Sequence, residues 1–393
     1  MGRRVAIVGT GQTKYVRRRR DVSVPELAHE AAKRALEDAG LMLKDIDAVV
    51  FATAPESFEG VNCPDKWAAD GAGGLGKPFM RINTGGATGG SGALAGIHHV
   101  ASGVFDVVLV VAMQRVGQTP DAQRILNLIW DPIFATGFAL NLPAITAMGT
   151  TGAMERFGYT EWHMAKLSVK DHLNALNNPY AHVQIEIGIE DVLNSPVVCW
   201  PIKILDCCPR SDGACAAVFA SEERARKITP TPAWVIGTGA TTCVTTIGEE
   251  ADEDAALGGP AVRKAYQMAG IDNPRRQISV VEPYDPFSST EIGYYLSMGF
   301  CQERRQATKM VENGFGEMTG EVPFSPSGGV LCANPIGATA LVRVVEAALQ
   351  VMGKADKRQV PGAKVALATG AGGSPGPGSA IFSTATILAK EPR

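Results

Sequence analysis

The sequence predicts an α/β protein in which one layered unit occurs twice. Short apolar runs alternate with helix-period stretches, two groups of motifs recur in the same order in both halves, and residues 114–196 between them fit neither period. Val5-Ala6-Ile7-Val8 is a short apolar strand closed by Gly9, and Val24 to Gly40 carries helical spacing before Ile46 to Phe51 resumes strand character. Small residues from Gly85 to Gly92 open a further helix that ends at Gly103, and Val107 to Val111 follows as a buried strand.

The second half repeats this order. Ala35-Leu-Glu-Asp-Ala-Gly-Leu41 and Asp45-Ile-Asp-Ala-Val-Val50 are echoed by Ala265-Tyr-Gln-Met-Ala-Gly-Ile271 and Gln277-Ile-Ser-Val-Val281. Gly86-Ala87-Thr88 is echoed by Gly337-Ala338-Thr339, after which Val365-Ala366-Leu367-Ala368 answers the strand at 107–111. The order implies a duplicated αβαβα five-layer sandwich with one glycine elbow from each half meeting at a central site. Residues 1–113 plus about 197–245 form the first half. Residues 114–196 form an inserted loop or lid, and residues 246–393 form the second half. An insertion of this length, carrying Trp130, Phe134, Phe138 and Trp162, suits a substrate-binding lid or an oligomer contact.

Composition narrows the function by exclusion. A net charge of −3 gives no global case for nucleic acid or an anionic membrane. No stretch approaches ~20 uninterrupted apolar residues, and the N-terminus runs straight into a strand, so a cytoplasmic protein without a membrane span is expected. The eight cysteines, at 63, 199, 207, 208, 215, 243, 301 and 332, form no Cys-x-x-Cys pair and no even framework. They read as reduced thiols, and no metal site is expected from them.

The chemistry concentrates at Ile82-Asn83-Thr84-Gly85-Gly86-Ala87-Thr88-Gly89-Gly90-Ser91-Gly92, which has the form of a nucleophile elbow and holds no nucleophile. Its glycines allow backbone N–H groups close to a ligand. Three groups elsewhere are candidates for proton transfer: Tyr284, whose phenol suits a general acid or base; Cys332, two residues before Asn334; and Glu282, at the end of an apolar strand. Each also has a plain structural reading, as a satisfied core tyrosine, a small buried hydrophobe and a paired carboxylate. Arg17 to Arg20 read first as a solvated basic turn, with the phosphates of a small anionic ligand as the alternative.

Four segments in order resemble the four catalytic loops of the thiolase superfamily, over nearly the whole length. Gly86-Ala87-Thr88-Gly89 stands in register with the Cys-Ala-Ser/Thr-Gly elbow, with Gly86 in the place of the reactive cysteine. Tyr284-Asp285-Pro286-Phe287 stands where the family has Asn-Glu-Ala-Phe or His-Asp-Ala-Phe. Ala333-Asn334-Pro335-Ile336-Gly337-Ala338-Thr339 resembles Gly-His-Pro-Ile-Gly-Ala-Thr, with Asn334 in place of the histidine. Thr369-Gly370-Ala371-Gly372-Gly373 resembles the Cys-Gly-Gly-Gly loop without its sulfur. All six histidines lie at or before residue 182, so a Cys/His/Cys relay cannot be assembled at these positions.

The resemblance implies a thiolase-like fold and an acyl-CoA enzyme with no permanently bound cofactor and coenzyme A as substrate. It implies Gly86, Tyr284, Asn334, Cys332 and Glu282 as candidate catalytic positions. Coenzyme A contacts are expected at Arg115, Phe287, Gly372 and Gly373, with more along 115–138. The segment Leu205-Asp206-Cys207-Cys208-Pro209-Arg210-Ser211-Asp212-Gly213-Ala214 is similar to one in the archaeal and lipid-transfer-protein branch, and reads as a structural loop beside the pocket. That branch implies a homodimer and a separate zinc-ribbon/OB-fold acyl-CoA-binding subunit. Reversible thiolysis of a 3-oxoacyl-CoA in a β-oxidation-type pathway is the favoured activity. Retro-aldol cleavage of a 3-hydroxyacyl-CoA and a non-catalytic acyl-CoA-binding role are the alternatives.

Overall fold

A computed structural model describes residues 2–130, 133, 141–245, 253–373 and 379–392. Its strands are β1 (Val5–Gln12), β2 (Ala48–Ala52), β3 (Phe79–Ile82), β4 (Val107–Arg115), β5 (Val197–Cys199), β6 (Ile202–Lys203), β7 (Asp212–Ser221), β8 (Ala233–Thr245), β9 (Val280–Glu282), β10 (Val365–Gly372) and β11 (Ser379–Ala389). Nine of them are hydrogen-bonded in the order β3-β2-β4-β7-β1-β8-β11-β10-β9, and β5 pairs with β6 in a separate hairpin.

The duplication is visible in this order. The halves join where β1 meets β8, through Ala6 opposite Trp234 and Ile7 opposite Ala233. Outward from that join the pairings mirror one another. β1–β7 and β8–β11 are antiparallel, as are β7–β4 and β11–β10, whereas β4–β2 and β10–β9 are parallel.

The echoed sequence motifs occupy equivalent places. The helix Val24–Ala39 starts with a Ser23/Glu26 capping box and stops at Gly40 in the left-handed conformation, where Leu41 N–H reaches Leu36 O at 2.9 Å. In the second half the helix Gly259–Ala269 stops at left-handed Gly270, and Ile271 N–H reaches Tyr266 O at the same 2.9 Å. The repeated Ala-Gly-apolar ending is therefore a repeated helix stop.

Two further helices, Thr88–Ala101 and Thr339–Met352, lie between the halves and contact strands of both. The second is buried along its whole length, although Arg343, Glu346 and Gln350 give it the look of an exposed face. Each finds a partner inside, although Arg343 Nε is left without one: Arg343 pairs with Glu282 at 2.6 Å, Glu346 with Arg358 at 3.0 Å, and Gln350 bonds Arg358 O at 2.8 Å.

The insertion after β4 is largely helical, with Leu142–Phe157 and Glu161–Ala175 as its main described helices. It clasps the second half through Asn174 to Ser325 O at 3.1 Å and Asn178 to Ser327 O at 2.9 Å. Trp130 and Trp162 are described, whereas Phe134 and Phe138 lie outside the described residues. Among the described residues no helix is long and apolar enough to cross a membrane.

Candidate functional site

The two elbows, the segment after β9 and the end of β10 converge on a cavity of about 1570 Å³. Gly85 and Gly86 come from the first elbow, Asn334 and Ile336 from the second, Tyr284 and Phe287 from the third loop and Ala371 to Gly373 from the fourth, and Cys207 to Arg210 complete the wall. Gly85 holds a φ of 62°, a conformation that favours glycine, and Gly372 packs so closely on Thr84 and Gly86 that a side chain there would strike their backbone.

At the centre, the space that a side chain on residue 86 would need is already taken. A Cβ on Gly86 would stand 2.8 Å from Tyr284 Oη and closer still to Ala371 O. Tyr284 is pinned at its backbone, its N–H donating to Thr369 Oγ1 at 3.0 Å and its carbonyl accepting from Tyr294 Oη at 2.5 Å. Burial, and then the nearby Cys208 sulfur, push the Tyr284 phenol up from its ordinary value of 10.0. At neutral pH it is a proton donor.

Asn334 is held at both ends of its amide. Thr339 Oγ1 donates to Asn334 Oδ1 at 2.7 Å, which turns the amide nitrogen toward Cys208 Sγ at 3.0 Å. Thr339, Asn334 and Cys208 thus form one polar chain beside the Tyr284 phenol. Burial raises the Cys208 thiol to about 11, against the opposing hydrogen bond from Asn334. Tyr284 and Cys208 thus both face the cavity in their neutral forms.

The structure separates the remaining candidates from this centre. Cys332 ends the helical turn Gly329–Cys332 and is buried with Ala175, Ala181 and Leu331, its sulfur donating to Asp171 O at 3.6 Å. It is off the cavity wall because extended Ala333 carries the chain past it before Asn334 turns inward. Glu282 is sealed behind the wall, paired with Arg343 and bonded by Ser327. Arg115 is also off the wall, paired with Glu59 at 3.5 Å and bonded to Arg19 O at 3.2 Å. Phe287, Gly372 and Gly373 line the cavity.

Cys208 was readable as more than part of a supporting loop. In an extended chain neighbouring side chains point to opposite sides, so a Cys-Cys pair along a cavity wall directs one sulfur to each. Cys207 Sγ turns to Lys203 O at 3.3 Å, and Cys208 Sγ turns to Asn334.

Among the described residues one further group of potential metal ligands occurs, buried Asp171, Asp285 and Glu291. The ammonium of Lys170 lies 2.6 Å from Asp171 and 2.9 Å from Glu291, and so supplies positive charge within that group.

A duplicated, layered α/β fold with two glycine elbows meeting at a polar centre defines an enzyme of the acyl-transfer class. The thiolase N-terminal domain model matches residues 5–190, and the thiolase C-terminal domain-like model matches residues 245–384. The chain belongs to the thiolase family and is a thiolase-type acyltransferase, a class that works on CoA thioesters. It is 32% identical over 379 residues to an acetyl-CoA acetyltransferase of Methanothermobacter thermautotrophicus, covering 95% of this chain and 97% of that one. It is also 32% identical to human sterol carrier protein 2, covering 93% of this chain and 69% of that protein. Among solved structures it resembles the Ltp2-ChsH2(DUF35) aldolase, with a TM-score of 0.81, 26% identity and 98% of each chain covered.

Proposed function

We propose that this protein cleaves the C2–C3 bond of a 3-oxoacyl-CoA by reversible thiolysis, with no acyl group carried on residue 86, in a degradative, β-oxidation-type sequence. The observation that carries this is the Tyr284 hydroxyl in the space of the missing side chain: a proton carrier stands where a nucleophile would. The thiol of coenzyme A attacks C3 directly, the C2–C3 electron pair moves onto C2 and its thioester, and C2 takes a proton. The thiol proton passes to the C3 oxygen as the adduct forms; Tyr284 gives its own proton to C2 as the C2–C3 bond breaks and takes one back from the C3 hydroxyl as the new thioester carbonyl forms, so the protons balance. Asn334, oriented by Thr339, donates to the developing oxyanion, and Cys208 lies beside it as a neutral thiol. Cys332 and Glu282 have no part in this scheme.

The test offers the purified chain a 3-oxoacyl-CoA with CoA, alone and with a zinc-ribbon/OB-fold subunit. Two shorter CoA esters, and no acyl adduct on the denatured protein by mass spectrometry, are the expected outcome. An acyl adduct on any side chain overturns the direct attack. Retro-aldol cleavage of a 3-hydroxyacyl-CoA is the second reading, supported by the resemblance to the Ltp2-ChsH2(DUF35) aldolase. It releases an aldehyde or ketone without consuming CoA. A chain inactive on both substrates is a non-catalytic acyl-CoA-binding subunit.

The same resemblance supports a separate partner subunit. A homodimer is supported by β3, an edge strand with Trp67, Leu75 and Met80 exposed nearby. Light scattering that gives a monomer at micromolar concentration removes the homodimer.

A further inference from the structure

The inserted segment reaches the second elbow at a further place, through His182. This is the last histidine of the chain, half-buried beyond the helix Glu161–Ala175. Its backbone N–H and that of Val183 both donate to Cys332 O, at 2.9 and 3.0 Å. Its ring Nδ1 stands 2.9 Å from Ser211 Oγ. Ser211 is fully buried and holds the backbone of Asn334 at two points. Its N–H donates to Asn334 O at 3.2 Å, and its hydroxyl oxygen accepts from Asn334 N–H at 3.1 Å.

A backbone N–H can only donate, so the direction of every bond in this chain follows. Ser211 Oγ is the acceptor for Asn334, and its own hydrogen needs an acceptor in turn. Among the described residues that acceptor is His182 Nδ1. His182 is thereby fixed as a neutral imidazole with its proton on Nε2. Burial, and then the Lys14 ammonium, hold the ring below its ordinary value of 6.5; Asp212 pulls the other way and Arg17 adds to the lowering. Lys14 is itself fastened beside the ring, donating to Ala181 O at 2.5 Å and Gln184 Oε1 at 2.7 Å.

We propose that His182 is a positioning residue for Asn334: through Ser211 it sets the backbone from which the Asn334 amide is aimed at the oxyanion. The proposal rests on the reading of Asn334 as oxyanion donor given above. Thr339 already fixes the rotation of that amide, so the backbone clasp adds its placement relative to Gly86 and Tyr284. Displacements of an ångström count here, because a donor works only at hydrogen-bond distance from the place where charge develops. Protonating His182 puts a hydrogen on Nδ1, facing an oxygen that already accepts from Asn334. The Ser211 hydroxyl hydrogen then loses its acceptor in a buried place. The clasp is built for the neutral ring.

The test is steady-state kinetics of the full chain with a 3-oxoacyl-CoA plus CoA and with a 3-hydroxyacyl-CoA, on His182→Leu, His182→Asn, Ser211→Ala and the double variant His182→Leu/Ser211→Ala. Leucine removes the acceptor and keeps most of the volume, whereas asparagine offers an amide oxygen near the place of Nδ1 and does not titrate. His182→Leu should lower kcat by about tenfold or more with KM within about threefold, and His182→Asn should bring kcat back to within about threefold of wild type. Because His182 acts through Ser211, the double variant should be within about twofold of Ser211→Ala. Wild-type kcat should fall along an acid limb below pH 6.5, and His182→Asn should lack that limb. Wild-type kcat in His182→Leu overturns the proposal, as do an asparagine variant as impaired as the leucine one, losses that multiply in the double variant, and an unchanged acid limb in His182→Asn. Should His182→Leu fail to fold, the pH profile of His182→Asn decides. If the wild-type chain turns over neither substrate, or Asn334→Ala keeps the wild-type rate, the oxyanion reading itself fails and this role with it. A slow Asn334→Ala beside an unimpaired His182→Leu removes the role of His182 alone.

Discussion

Tyr284 and Gly86 are complementary: the phenol oxygen fills the space that a side chain at 86 would occupy, 2.8 Å from where its Cβ would stand. Gly86→Ala should therefore overpack the site. The Ala371 carbonyl is backbone and cannot swing away, so about 1–3 kcal/mol of stability should be lost. A lowered thermal midpoint with reduced turnover is expected, and an unshifted midpoint would mean that the two loops are looser than they look.

Tyr284→Phe removes the hydroxyl and keeps the ring. Turnover should fall roughly 10²–10⁴-fold, the usual range for loss of a placed proton carrier, while the thermal midpoint stays close to wild type. The phenol is pushed up from 10.0 and the Cys208 thiol to about 11. Neither group should impose an alkaline limb on the rate below about pH 10. A Tyr284- or Cys208-dependent inflection near pH 8 would contradict this, and so would full activity in Tyr284→Phe.

Cys208 separates two roles for sulfur. Its thiol is neutral and bonded by Asn334, so Cys208→Ser, which still accepts from Asn334 Nδ2, should retain turnover within about tenfold. Cys208→Ala leaves that amide hydrogen without its acceptor and should lose more. Loss of all activity in the serine variant, with an intact fold, would make the sulfur a nucleophile.

These residues show how far the sequence could be read. The duplication was legible because it rests on local signals: two Ala-Gly helix stops and two glycine elbows, each needing a particular backbone. The convergence of Gly86, Tyr284 and Asn334 was implied by the resemblance of their segments to the thiolase loops. Cys332 was misplaced because nearness in sequence says nothing about which way a side chain turns, and the extended Ala333 separates its direction from that of Asn334. Glu282 and Arg343 were hidden for another reason. Their pairing spans 61 residues, from the end of β9 to Arg343 on a buried helix whose polar spacing imitates a solvent-facing stripe.

Glu59, which pairs with Arg115, gives the fold a pH signature. Burial raises its carboxyl to about 7 from 4.5, with Arg115 pulling the other way. Unfolding frees a carboxyl that ionises near 4.5. Above that pH the unfolded chain gives up a proton that the folded chain still holds, so Glu59's contribution is complete below 4.5 and is lost as pH rises through about 7. The thermal midpoint of wild type should lose ground against Glu59→Gln between pH 5 and 7.5. Parallel curves for the two proteins across that window would rule out this titration.

Glu282 and Arg343 provide the sharpest separation of stability from chemistry. The pair is buried on both sides, at 2.6 Å, and Ser327 donates to the carboxylate through both its N–H and its hydroxyl. Removing one partner leaves the other charge without compensation, so Arg343→Met should cost about 3–5 kcal/mol. Glu282→Gln strands the guanidinium in the same way, though its amide oxygen can still accept from Arg343 and Ser327, and it should cost less. Because neither residue reaches the cavity, the folded fraction of Glu282→Gln should turn over substrate at close to the wild-type rate, with an unchanged pH profile. Turnover that falls by more than about a hundredfold in a fully folded Glu282→Gln protein would restore the carboxylate as a base, since that is the scale of loss for a group that moves a proton.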